Sequence, residues 1–169
     1  MPAASRGAPV DLGASLLSAL ATSERITQYL LDALPAEVWR AETPGEGRTV
    51  AGVVAHLHNV RLMWLKAAAK GARLPAQLDK AKVTVDQARK GLAASHAAIA
   101  KLVASSLAGD GKIKNFPPDV GAFVAYLVAH DAHHRGQICM LSRQVGHRLP
   151  NQVTFGMWEW NKRSQEAGV

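Results

Sequence analysis

The chain has one cysteine, Cys139, in 169 residues. No intramolecular disulfide can form, and a reducing, cytoplasmic setting is expected. Aromatic residues make up 5% of the sequence and β-branched runs are short, which argues against an all-β architecture. Long apolar runs are also missing. The longest, VGAFVAYLVA, falls short of the roughly 20 residues a spanning helix needs and leads straight into histidines, so no membrane association is expected. The N-terminal stretch carries a single arginine, and Asp11 interrupts what would have to be an apolar segment, so no signal peptide is expected. No glutamate stands three residues before any histidine, which removes the Glu-x-x-His pairs that di-iron bundles require.

What is present is an alanine-rich chain, 48% hydrophobic and 20% charged, with a net charge of +7. This suits a compact helical protein. Residues 1–169 read as one domain, with 1–10 as a flexible tail. The positive excess is local: seven basic residues lie between Lys66 and Lys90, against Asp79 and Asp86. The strip holds no aromatic residue for base stacking and no DNA-binding motif, so a solvated face is expected there and a nucleic-acid partner is not.

Helical periodicity and breakers divide the chain into four long segments. The first runs from about Asp11 to Leu34, with leucines and Ile26 at helical spacing, and ends at Pro35. Thr49 is placed to cap a second helix, from Val50 to about Lys70. Thr84 is placed to cap a third, and Asp119 a fourth that ends at Gly146. The tail NQVTFGMWEWNKR reads as a short fifth helix or an ordered arm. Four amphipathic helices with breaks between them define an all-α, four-helix-bundle fold class, in which sites are built from inward side chains on facing helices.

The stretch HDAHHRGQ, His130 to Gln137, carries three of the seven histidines. With about 100° per residue, His134 falls within the apolar stripe of the fourth helix and His130 beside it. His133 lies on a flank, about 120° from the stripe centre. The pair at i and i+4 stands one turn apart on one side, a spacing at which two imidazoles reach one ion. A third ligand must come from another helix. In AHLHNVRLMWL, His56 lies at the edge of an apolar side built from Val53, Leu57, Val60, Met63, Trp64 and Ala67, whereas His58 points largely away. A lone histidine on such a face reads more often as a satisfied core or surface residue than as a ligand. Three on apolar faces of one bundle would be buried imidazoles in need of partners, and a shared ion satisfies them together.

The segments GRTVAGVVAHLHNVRLMWL and HDAHHRGQICMLSRQVGH, with the ending VTFGMWEWNK, resemble the DinB-like family, also grouped with YfiT-like metal-dependent enzymes. The likeness spans about residues 12 to 163 and rests on a second-helix histidine followed by H-x-x-x-H-R-G-Q, here His56, then His130 and His134–Gln137. It implies an up-down-down-up DinB-like bundle, often homodimeric, with a short C-terminal extra helix. It also implies a divalent ion, zinc or nickel, held by His56, His130 and His134. A small-molecule substrate such as a low-molecular-weight thiol would follow. The implied activity is that of a thiol-dependent S-transferase or isomerase, or of a hydrolase using metal-activated water. The alternative is a stress-associated dimeric bundle whose metal is structural or vestigial.

Around that site, Asp131 is expected to orient a ligating imidazole or to face solvent, and His133 to line the mouth. Arg61 would meet an anionic substrate or form a surface salt bridge. Arg135 reads as an ion-pairing or interhelix residue, Gly136 as a point of close helix approach, and Cys139 as a small packed residue. Trp64, Trp158 and Trp160 are expected in the core or at a dimer interface. No catalytic residue is assigned.

Overall fold

The computed structural model describes residues 9–45, 47–69 and 71–169; most of the tail expected over 1–10 and Lys70 of the basic strip lie outside them. Six helices follow in order: α1 (Leu12–Asp32), α2 (Val50–Ala68), α3 (Val85–Leu107), α4 (Val120–Gln144), α5 (Asn151–Gly156) and α6 (Trp160–Glu166). No strand is present among the described residues.

Each long helix begins where a side chain meets an orphan amide. Asp11 accepts from the Ala14 amide, Thr49 from Gly52 and Asp119 from Ala122. Thr84 does more, because its hydroxyl accepts from the Gln87 amide while the Gln87 side chain returns to the Thr84 amide, a reciprocal capping box. At the far end of α4 the chain turns at Gly146, whose φ of 87° favours a residue without Cβ. Pro35 ends the run after α1 and opens a 3-10 turn, Ala36–Val38.

Two apolar clusters fill the bundle and fix the direction of every helix. One joins the end of α1 (Leu30, Leu31), the start of α2 (Val50 to Leu57), the start of α3 (Ala88, Leu92) and the end of α4 (Ile138, Leu141). The other joins the opposite ends, through Leu20, Leu62, Leu65, Ile99, Val103, Phe123 and Leu127. The helices therefore run up, down, down, up. The parallel pair of consecutive helices, α2 and α3, requires a long connection, and residues 69–84 supply it. α1 and α2 each pack against α3 and α4, and α6 packs on α1.

Between the two clusters lies a polar layer at mid-height. It holds Ser23, Glu24 and Thr27 of α1, His58 and Arg61 of α2, Ser95 of α3, and Asp131, His134 and Arg135 of α4, all buried. This layer carries the site.

Several expectations need correction. The tail forms two short helices, pinned to α1 by Arg163. Its guanidinium is buried, lies 4.0 Å from the centre of the Tyr29 ring and pairs with Glu166 at 2.9 Å. Trp64 does pack inside, edge-to-face with Phe116, Phe123 and Tyr126, but Trp158 and Trp160 are exposed on this chain, as is Met63. Gly136 is not a point of helix approach, since a Cβ there would meet nothing within 4 Å. The close approaches occur at Gly91, where a Cβ would sit 3.0 Å from Leu78, and at Gly156, where it would collide with the Tyr29 ring.

Candidate metal centre

His56 comes from α2, and His130 and His134 from consecutive turns of α4. Their ring nitrogens include one atom from each that all lie within 4.8 Å of one another. The ring centroids are 5.4 Å apart for His56–His130, 4.8 Å for His56–His134 and 4.5 Å for His130–His134. His134 is buried and the other two are half-buried, so the cluster has a closed inner side and an accessible outer one. These are the three residues that the helical wheel and the family resemblance select.

The groups behind the histidines set their tautomers. His134 Nδ1 lies 2.7 Å from Gln137 Oε1, and the same amide sends its Nε2 to His133 Nε2 at 3.0 Å. With its oxygen toward His134, Gln137 accepts the Nδ1 proton and leaves Nε2 with a lone pair. On His130, Nδ1 faces Asp131 Oδ1 at 3.7 Å, so the carboxylate favours the proton on that nitrogen and a lone pair on Nε2. The two Nε2 atoms stand 3.2 Å apart. Two facing lone pairs repel, and a cation between them removes the repulsion. With zinc–nitrogen bonds of about 2.0–2.1 Å, two ligands on one ion are separated by roughly 3–3.5 Å, so the donors fit such an ion.

Burial and nearby charges favour the neutral form of His56 and His134, the form a metal requires. Burial, followed by the charges of His134, Arg48, His130 and Lys80, lowers His56 to about 4. Burial also lowers His134, despite the opposing hydrogen bond that it donates to Gln137.

Asp131 is buried and ionised. Burial alone would raise its carboxyl, but the Arg61 charge, the His130 contact and the hydrogen bond from Arg61 hold it below the usual carboxylate range. Arg61 donates to Asp131 Oδ2 at 2.7 Å and to the Leu92 carbonyl at 3.2 Å, and pairs with Glu24 Oε2 at 2.7 Å. Arg61 therefore neither meets substrate nor forms a surface bridge. It is a buried cation between two carboxylates and supports Asp131 from behind. Arg135 is the interhelix residue expected, although its partners are neutral: Ser23 O, Ser23 Oγ and Thr27 Oγ1, at 3.0 to 3.2 Å.

His58 turns away from the cluster, as the wheel indicates, but into the bundle rather than solvent. Its nitrogens lie 2.8 Å from the Gly91 carbonyl and 2.9 Å from that of Ala76. His133 is exposed and bears on the centre through Gln137 and through its ring, whose centroid lies 5.0 Å from that of His134 in an edge arrangement. Cys139 is half-buried against the upper cluster, and burial pushes its thiol up, away from nucleophilic character.

Glu24 is not singled out by the sequence, and Gln137 stands there in the H-R-G-Q motif without a role. Glu24 had a signal: in the stripe Leu20, Glu24, Thr27, Leu31 it is a charge on an apolar face, which marks a buried partner. Gln137 stands three residues after His134 and four after His133, the spacing at which helical side chains meet.

The structure thus defines a class: an up-down-down-up helical bundle with a three-histidine cluster, open on one side, at its polar mid-layer. The DinB family model matches residues 9–166, and the chain belongs to the DinB family. No curated protein and no solved structure matches the chain.

Proposed function

We propose that the chain is a divalent-metal-dependent enzyme, with zinc or nickel held by His56, His130 and His134, that acts on a small molecule. The observation carrying this reading is the pair of Nε2 atoms 3.2 Å apart, each left with a lone pair by a partner at its own Nδ1. An ion bound there supplies Lewis acidity, lowering the pKa of a thiol or water and polarising an electrophile. The chain's residues supply the rest. Gln137 and Asp131 hold two rings in their ligating tautomer, and burial of His134 keeps protons from competing. The reaction that fits the family resemblance is thiol-dependent S-transfer or isomerisation, with hydrolysis as its nearest variant, in the cytoplasm.

A second reading is a non-catalytic dimeric bundle whose metal is structural. Exposed Phe155, Trp158 and Trp160 favour it, because together they give α5 and α6 an apolar face suited to a second copy. One experiment separates the two. Zinc- and nickel-loaded protein is assayed with low-molecular-weight thiols and electrophiles, alongside a His130→Ala/His134→Ala double variant. Thiol consumption by the native protein alone supports the enzyme. No turnover with any pair, together with a lowered melting temperature in the variant, supports the structural bundle.

A further inference from the structure

A cavity of about 300 Å³ lies one helical turn above the metal centre, between the 43–48 loop, the start of α2 and the end of α4. Its walls include Arg48, Val53, Gln137, Met140 and Leu141. Val53 precedes His56 by three residues and Gln137 follows His134 by three, so both helices carry the cavity's wall about 4.5 Å along from a metal ligand. Gln137 belongs to both places, for the amide that lines the cavity also accepts from His134 Nδ1. The volume stands at the small end of the range for ligand pockets.

The chemistry of the lining is one-sided. Among the described residues Arg48 is the charged group of the wall, no carboxylate lines it, and Arg48 makes no ion pair; Glu46 of the same loop lies outside the described residues. Arg48 immediately precedes the Thr49 cap, so the positive end of the α2 dipole adds to its field. The opposite wall, Val53, Met140 and Leu141, is apolar. Gly47 packs closely on Thr43, whose hydroxyl a Cβ at Gly47 would meet.

We infer that this cavity is the substrate subsite of the metal centre, and that it takes a small organic anion, its carboxylate against Arg48 and its aliphatic part along Val53, Met140 and Leu141. The inference rests on the proposed metal-dependent function and specifies its substrate class. Arg48 takes the role that Arg61, buried against Glu24 and Asp131, cannot perform. A guanidinium matches a carboxylate in two parallel hydrogen bonds, which sets the ligand's orientation as well as its charge. Bound so, the anion's other end is directed along the shared Gln137 wall toward the open side of the histidine cluster.

The test uses hexanoate and its uncharged analogue hexanamide on full-length protein labelled with methyl-¹³C methionine. Chelator-treated protein is used first, so that hexanoate has no ion to ligate, and cobalt(II)-loaded protein second. Hexanoate shifts the Met140 methyl resonance saturably in both, and hexanamide binds about tenfold more weakly or worse. Arg48→Gln weakens hexanoate by a similar factor and Arg48→Lys recovers part of the loss. Arg73→Gln, at a separate cavity between α2 and α3, behaves as wild type. Equal binding of hexanoate and hexanamide overturns the inference, as does an unaltered Arg48→Gln variant or an equal loss in Arg73→Gln. The cobalt spectrum reports the histidine cluster independently. A chain that binds hexanoate through Arg48 but takes up no cobalt retains the anion cavity and loses the metal function.

Discussion

Asp131 faces two ways. One oxygen receives Arg61, and the other, without a hydrogen-bond partner, is turned to His130 Nδ1. A carboxylate in this position fixes the ring of a metal ligand and raises its basicity. Asp131→Asn is therefore expected to lower metal affinity by about 10–100-fold, measured by competition with a chromophoric chelator. The clustering of His130 and His134 was legible in the sequence, because i,i+4 spacing and an apolar stripe are local properties of one helix. Their supports were not. Glu24, Arg61 and Asp131 lie on three different helices, and only the packing of α1 and α2 against α4 closes the Glu24–Arg61–Asp131 chain. A charged side chain reads as solvated until its partners across the bundle are known.

At the scale of the element, helix starts were the clearest signals. Asp11, Thr49, Thr84 and Asp119 each cap the helix expected from the sequence, since capping depends on residues three apart. Thr84→Ala removes one half of the α3 capping box and is expected to cost about 1 kcal/mol of stability, read from chemical denaturation with an unchanged m-value. The C-terminal segment was harder to read. Its division into α5 and α6 follows from the fit of Gly156 against Tyr29 and of Arg163 over the same ring, both contacts with a helix more than a hundred residues earlier. The first half of α2 was ambiguous for another reason. From Val50 to Ala55 every residue is buried, so a wheel turns His58 away from the histidine cluster without showing that it enters the bundle rather than solvent.

Across the whole molecule, two apolar clusters enclose a polar layer, and the histidines in that layer make stability depend on pH. In metal-free protein His56 is lowered to about 4, and His134 and His96 are lowered as well, each chiefly by burial. Between the ordinary histidine range near 6.5 and pH 4, the unfolded chain binds protons that the folded chain refuses. Stability present above pH 6.5 is therefore expected to fall as the pH drops toward 4. Thermal melts of the metal-free chain check this, and His56→Ala should flatten the profile. A metal held by the same residues opposes the loss by binding only the folded state.

The central claim is that His56, His130 and His134 form one metal centre, and metal stoichiometry tests it most directly. Protein purified under metal-replete conditions and dialysed against buffer should retain about one zinc or nickel ion per chain, measured by elemental analysis, as expected for a three-histidine site. Replacing His56, the ligand most distant in sequence, with alanine should abolish that retention. Native protein without stoichiometric metal, or a His56→Ala variant that keeps it, would contradict the account.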